Sequence, residues 1–150
     1  MQKLNLPAYD FRTRVEGDRQ YVLDIFRKRY VLFTLEEEVR QRFARYLVEE
    51  KGYPASLILT EHTLKLNNMV RRCDILVHRP AGTPAVLVEC KSPAVKISRE
   101  TFDQAARYNI VFRVRYLMVT NGLKHYCCYI DFENREVRYL DAIPSYEELV

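Results

Sequence analysis

Apolar and polar residues alternate along the chain in two rhythms, one of period two and one close to 3.6. Near the start, "FRTRV" and "QYVLDIF" flank Gly17-Asp18, and two short strand-like runs around a glycine turn predict a hairpin. The basic run "RKRY" follows, a patch suited to solvent or to phosphate. Thr34 then stands as an N-cap, and Val39, Phe43, Tyr46 and Leu47 share one face at helical spacing. A helix is predicted to about Lys51, stopped by Gly52 and Pro54. Strand-like runs come next at "SLILTEHTLKL", "MVRRCDILVH" and "AVLVECK". A second helix is predicted from Ser98 as cap to about Phe112, then a strand at "VRYLMVT" turned at Asn121-Gly122. The runs "KHYCCYIDF" and "EVRYL" complete the set before an acidic tail.

This order, helix, three strands, helix, strand and a last hairpin, predicts an α/β fold. Tight turns imply antiparallel neighbours and the helical crossover a parallel one, giving a mixed central sheet flanked by helices. The length of 150 residues suits one core, with residues 1–33 as an N-terminal hairpin extension packed on a domain at 34–150.

Composition changes this picture little. A hydrophobic content of 48% and a charged content of 29% are those of an ordinary globular protein. The net charge of +4 permits a polyanionic partner without demanding one. No apolar run approaches a membrane span, and the start lacks the apolar stretch of a secretory leader, so the expected location is cytoplasmic. Cys73, Cys90, Cys127 and Cys128 show no C-x-x-C spacing, and buried free thiols are expected rather than a zinc site.

The candidate chemistry lies in "AVLVECKSP", an aliphatic strand that ends in Glu89-Cys90-Lys91. If "MVRRCDILVH" and "AVLVECK" form a hairpin about Ala81-Gly82, hydrophobicity alone sets Cys73, Ile75 and Val77 against Cys90, Val88 and Val86. The same register places Asp74 opposite Glu89, and Arg72 opposite Lys91, on the other face. Opposed carboxylates with Cβ atoms about 5 Å apart repel unless a proton or cation lies between them. A hard divalent ion resolves that conflict, and Lys91 is placed to orient its water or to neutralise a phosphate. The alternative is a cross-strand ion quartet in which Asp74, Glu89, Arg72 and Lys91 neutralise one another. Glu36, on the stripe of Phe43 and Leu47, is expected to point inward, with Arg40 as a partner four residues on. Gln104 and Tyr108 share a helical face, either closing over Lys91 or exposed. Arg71, Arg72, Arg113 and Arg115 are candidate phosphate contacts.

Taken together, these residues resemble the PD-(D/E)xK nuclease core. More narrowly, "EEEVRQRFARYLVEEKGYP", "RRCDILV", "VLVECKSP", "FDQAARYN" and "VTNG" resemble the N-terminal endonuclease domain of type I restriction enzyme restriction subunits, over roughly Leu35 to Leu140. The resemblance implies a restriction-endonuclease-like αβββαβ core and Mg²⁺, with Mn²⁺ as a substitute. Asp74 and Glu89 would be metal ligands with the Cys90 carbonyl as a further one, and Lys91 would position the attacking water. Glu36 matches the first-helix acid, and Gln104 with Tyr108 the accessory motif that positions water or substrate. Arg72 is a substrate contact. Cys73 stands where the motif has its proline. No G-x-x-x-x-G-K-[ST] occurs, so the resemblance implies the cutting chemistry without the ATP-driven motor. The expected activity is a stand-alone metal-dependent endonuclease acting on DNA. A homodimer or other restriction or replication subunits are expected partners, since one site per chain makes a double-strand break only in pairs. The alternatives are a non-catalytic DNA-binding or assembly module that keeps the nuclease fold, and an unrelated mixed-sheet protein.

Overall fold

The computed structural model describes residues 3–150, apart from the side chains of Leu66, Tyr108, Ile110 and Val111. The first elements are β1 (Thr13–Glu16), β2 (Arg19–Asp24) and β3 (Arg29–Leu32), an antiparallel sheet in that order. The expected hairpin therefore gains a third strand, which takes up part of the basic run. The cause is local: Asp24 Oδ1 accepts from Phe26 N–H at 2.8 Å and Arg27 N–H at 3.1 Å. That side-chain turn folds the chain back along β2.

Helix α1 (Leu35–Lys51) begins where Thr34 Oγ1 accepts from Glu37 N–H at 3.0 Å, and ends at Gly52 with φ +71°. Then come β4 (Ile58–Leu66), β5 (Met69–His78), β6 (Pro84–Cys90), α2 (Arg99–Phe112), β7 (Tyr116–Thr120), β8 (His125–Asp131) and β9 (Glu136–Leu140). They build a six-stranded sheet in the order β4-β5-β6-β7-β8-β9. Among the described residues only β6 and β7, joined through α2, run parallel; the short connections make every other pair in this sheet antiparallel.

Helices cover both faces of this sheet. Val39, Phe43, Ala44 and Leu47 of α1 pack with Ile75, Val77, Val86, Val88, Cys90, Tyr116 and Met118. Phe102, Ala105, Ala106 and Phe112 of α2 pack with Leu76, Leu87, Leu117 and Val119 on the other side. The central strands β6 and β7 are buried on both faces, which is why "AVLV" and "YLMV" read as unbroken apolar runs. All four cysteines are free and buried, as expected, and burial pushes the Cys127 and Cys128 thiols up to about 12. Among the described residues no helix is long and apolar enough to cross a membrane.

Candidate active site

The site forms where β5 and β6 part. Their ladder follows the register set by hydrophobicity, with Ile75 paired to Val88 and Val77 to Val86, and it runs no further than Ile75. Beyond that point β6 stays with β7: Cys90 pairs with Thr120, and Lys91 N–H donates to Thr120 O at 2.8 Å. The freed Cys90 N–H is taken by a side chain, donating to Asp74 Oδ2 at 2.8 Å. Asp74 is thus drawn onto the peptide between Glu89 and Cys90, next to Lys91.

A kink at the same level alters the expected faces. In the β4–β5 ladder Thr60 pairs with Ile75 and His62 with Cys73, while Glu61 and Asp74 are skipped. Glu61 has φ +50°, a left-handed conformation that side chains other than glycine's adopt at a cost. Strand parity flips across it. Ile58 and Ile75 lie in the α1 core, whereas Leu64 and Cys73 lie with the α2 core. Cys73 therefore does not face Cys90, as simple alternation required. Arg72 does not oppose Lys91 either; it pairs with Thr63, and its side chain is 76% exposed.

Asp74 ends a chain of alternating charges that starts in the N-terminal sheet. Buried Asp24 is bonded by Arg27 and accepts from Thr60 Oγ1 at 2.8 Å. Arg27 Nη2 reaches both oxygens of Glu37, at 2.9 and 3.0 Å. Glu37 in turn receives Arg40 Nη2 at 2.7 Å, Arg40 Nε at 3.1 Å and Gln41 Nε2 at 2.8 Å. Arg40, with a side chain only 7% exposed, presents Nη1 to Asp74 Oδ1 at 2.9 Å and to Glu61 Oε1 at 2.6 Å. Arg72 Nε completes the series on Glu61 Oε2 at 2.6 Å.

Other expected site residues fall as follows. Glu89 shares the α2 side with Leu87 by alternation and is bonded by Arg71 rather than set against Asp74. Lys91 makes no ion pair among the described residues, yet its charge acts on Asp74. Cys90 is buried in the α1 core. Glu36 is exposed, not inward, because α1 is wrapped over 37–44 and the buried acids are Glu37 and Glu38; Arg40 pairs with Glu37 instead. Gln104 is exposed on α2, and the side chain of Tyr108 lies outside the described residues. Arg113 caps α2 and stacks on Phe132, and Arg115 bonds Tyr129 and Glu133, so both serve a remote corner. Sequence reading missed Glu61, Glu37, Arg27 and Asp24. Its one available hint was "TEHT", a polar break inside an aliphatic strand.

Burial pushes the Asp74 carboxyl above its ordinary value; the Cys90 amide and Arg40 oppose the shift, and Glu61 adds to it. Burial drives Asp24 and Glu37 the same way, but their hydrogen bonds outweigh it and hold both below the usual range. Asp74, Glu89 and the Cys90 carbonyl offer only oxygen donors, the kind a hard divalent cation takes, but Glu89 is engaged by Arg71 and Asp74 by Arg40. Among the described residues no three acidic, His or Cys side chains converge as a ready cluster, and arginine supplies the positive charge at each carboxylate.

The family described as type I restriction enzyme R protein N terminus matches residues 35–144, from the first residue of α1 to just past β9. No curated protein and no solved structure matches the chain.

Proposed function

The chain belongs to the type I restriction enzyme R protein N-terminus family, and from that premise we propose that it hydrolyses phosphodiester bonds in DNA with a divalent cation. The sequence α1, β4, β5, β6, α2, β7 is read as the αβββαβ core of a restriction-endonuclease-like fold. One observation carries the reading: Asp74 closes onto the amide of Cys90, the residue between Glu89 and Lys91, at the open end of two strands.

Asp74, Glu89 and the Cys90 carbonyl would hold Mg²⁺ or Mn²⁺. When bound, such an ion supplies a polarised water and neutralises the phosphoryl oxygens. The chain's own groups do the rest. Lys91 orients the attacking water and offsets charge growing on the phosphate. Arg40 fixes the carboxylate of Asp74 from the α1 side, while Arg71 holds Glu89 until substrate and ion replace it. Arg72, largely in solvent at the strand edge, meets a neighbouring phosphate. Gln104, Tyr108 and Glu36 remain accessory positions near water or substrate.

Plasmid nicking in Mg²⁺ or Mn²⁺ tests this. Wild type should nick, EDTA should stop it, and Asp74→Ala and Lys91→Ala should each lower the rate at least a hundredfold. Cleavage unchanged in both variants would end the assignment. The arginines that saturate Asp74 and Glu89 favour a second reading, a DNA-binding or assembly module that keeps the fold without turnover. Calorimetry with Mg²⁺ and Mn²⁺ separates the two, since the module takes up neither ion at Asp74 and Glu89.

A further inference from the structure

On the α2 side of the sheet, two adjoining hollows of about 250 and 290 Å³ share Ile97 and Tyr126. They run from the 93–97 segment and the Asn121–Lys124 turn to the first turn of α2 and β9. Phe102, buried in α2, fixes two exposed rings there: Tyr126 edge-on at 6.3 Å and Tyr139 tilted at 5.5 Å. Tyr126 is 39% exposed and Tyr139 50%, a large aromatic surface that no element among the described residues covers. Arg99 lies 5.8 Å from the Tyr139 ring, and Lys96 and Lys124 line the second hollow. Among the described residues no carboxylate lines either hollow and these three cations take part in no ion pair, while at the rim the Tyr139 hydroxyl donates to Asp103 Oδ1 at 3.4 Å. Around Asp74, by contrast, Arg27, Arg40, Arg71 and Arg72 are all paired.

Flat exposed rings beside cations held in no ion pair are the chemistry that receives an unpaired nucleic-acid strand. Bases stack on rings whatever their identity, and phosphates find the charges. We propose that this groove holds a single DNA strand, with bases on Tyr126 and Tyr139 and phosphates on Lys96, Arg99 and Lys124. The proposal rests on the nuclease reading for the origin of the strand, which is the substrate passing the cleavage site. The reach is short: five residues separate Lys91 from Ile97, six steps along the chain and a span of at most roughly 20 Å.

Fluorescence anisotropy in EDTA tests the groove without cleavage, using end-labelled dT12 and, in a second arm, rU12. Wild type should bind dT12, and Tyr126→Ala with Tyr139→Ala should weaken binding about tenfold per ring with little change in salt slope. Tyr126→Phe with Tyr139→Phe should restore it, and matching thermal melts would confirm that both variants fold. Lys96→Glu with Lys124→Glu should flatten the salt slope by about 1.4, near 0.7 per lost phosphate contact. Equal dT12 affinity in wild type and the double alanine variant overturns the proposal. So does binding of rU12 alone, or a sedimentation shift from dimer to monomer caused by the alanines, which makes the face a contact between copies. If dT12 binds as predicted but wild type never nicks plasmid, the groove stands and the nuclease reading falls.

Discussion

Replacing Arg40 by methionine removes the charge that joins Glu37 to Asp74 and Glu61 while keeping a side chain of similar length. The guanidinium is almost fully buried and contacts three carboxylates, so solvent screening gives little relief. Breaking a buried ion pair from one side costs about 3–5 kcal/mol, because the remaining charge is left in a poor solvent. Here Arg27 still holds Glu37 and Arg72 still holds Glu61, so the lower end, about 3 kcal/mol, is the better figure. For a chain of this size that lowers Tm by about 6–12 °C. Urea melts at pH 7 measure it directly, with Arg14→Met as the control. Arg14 and Glu16 form an exposed pair whose loss should cost under about 1 kcal/mol. A cost for Arg40→Met no greater than that of the control would refute the view that the buried charge chain organises the site.

Three further outcomes follow from the same packing. Asp24 and Glu37 are held below their ordinary values, so the stability they add is present above about pH 4.5 and lost as pH falls through their folded-state values. Urea melts from pH 5 to pH 3 should show that loss, and Asp24→Asn should make the decline shallower. Gly122→Ala, at φ +86° with a new Cβ 3.0 Å from Leu4 Cδ2 and 3.1 Å from Val39 Cγ2, should cost about 1–3 kcal/mol by thermal melt. Tyr53→Phe deletes the buried hydroxyl that donates to Pro144 O at 3.1 Å and should cost about 1 kcal/mol in urea.

Hydrophobic pattern carried the reading of this chain as far as pattern can go. Both helix caps, the strands from β4 onward and the β5–β6 register were legible because each rests on local spacing: Thr34 and Ser98 before helical stripes, Ile75 and Val77 against Val88 and Val86. The same register set Asp74 against Glu89, and that pair does not form. The ladder ends one pair earlier, and the kink at Glu61 has neither glycine nor asparagine to announce its left-handed backbone. Glu36 was chosen by helical phase, but α1 is enclosed over 37–44 by the sheet, the N-terminal segment and the small sheet. Burial there follows partners such as Arg27 and Leu6 rather than a stripe. The third N-terminal strand depended on Asp24 turning the chain, a hydrogen-bond effect that hydrophobic spacing does not record.

The proposed cutting chemistry needs a divalent cation held by Asp74 and Glu89 together. Crystals soaked in Mn²⁺ and measured at the manganese edge test it most directly. The expected result is one anomalous peak about 2.1–2.3 Å from oxygens of both carboxylates and the Cys90 carbonyl, with Arg71 withdrawn from Glu89. An empty site at saturating Mn²⁺, with Arg71 still on Glu89 and Arg40 still on Asp74, would contradict it.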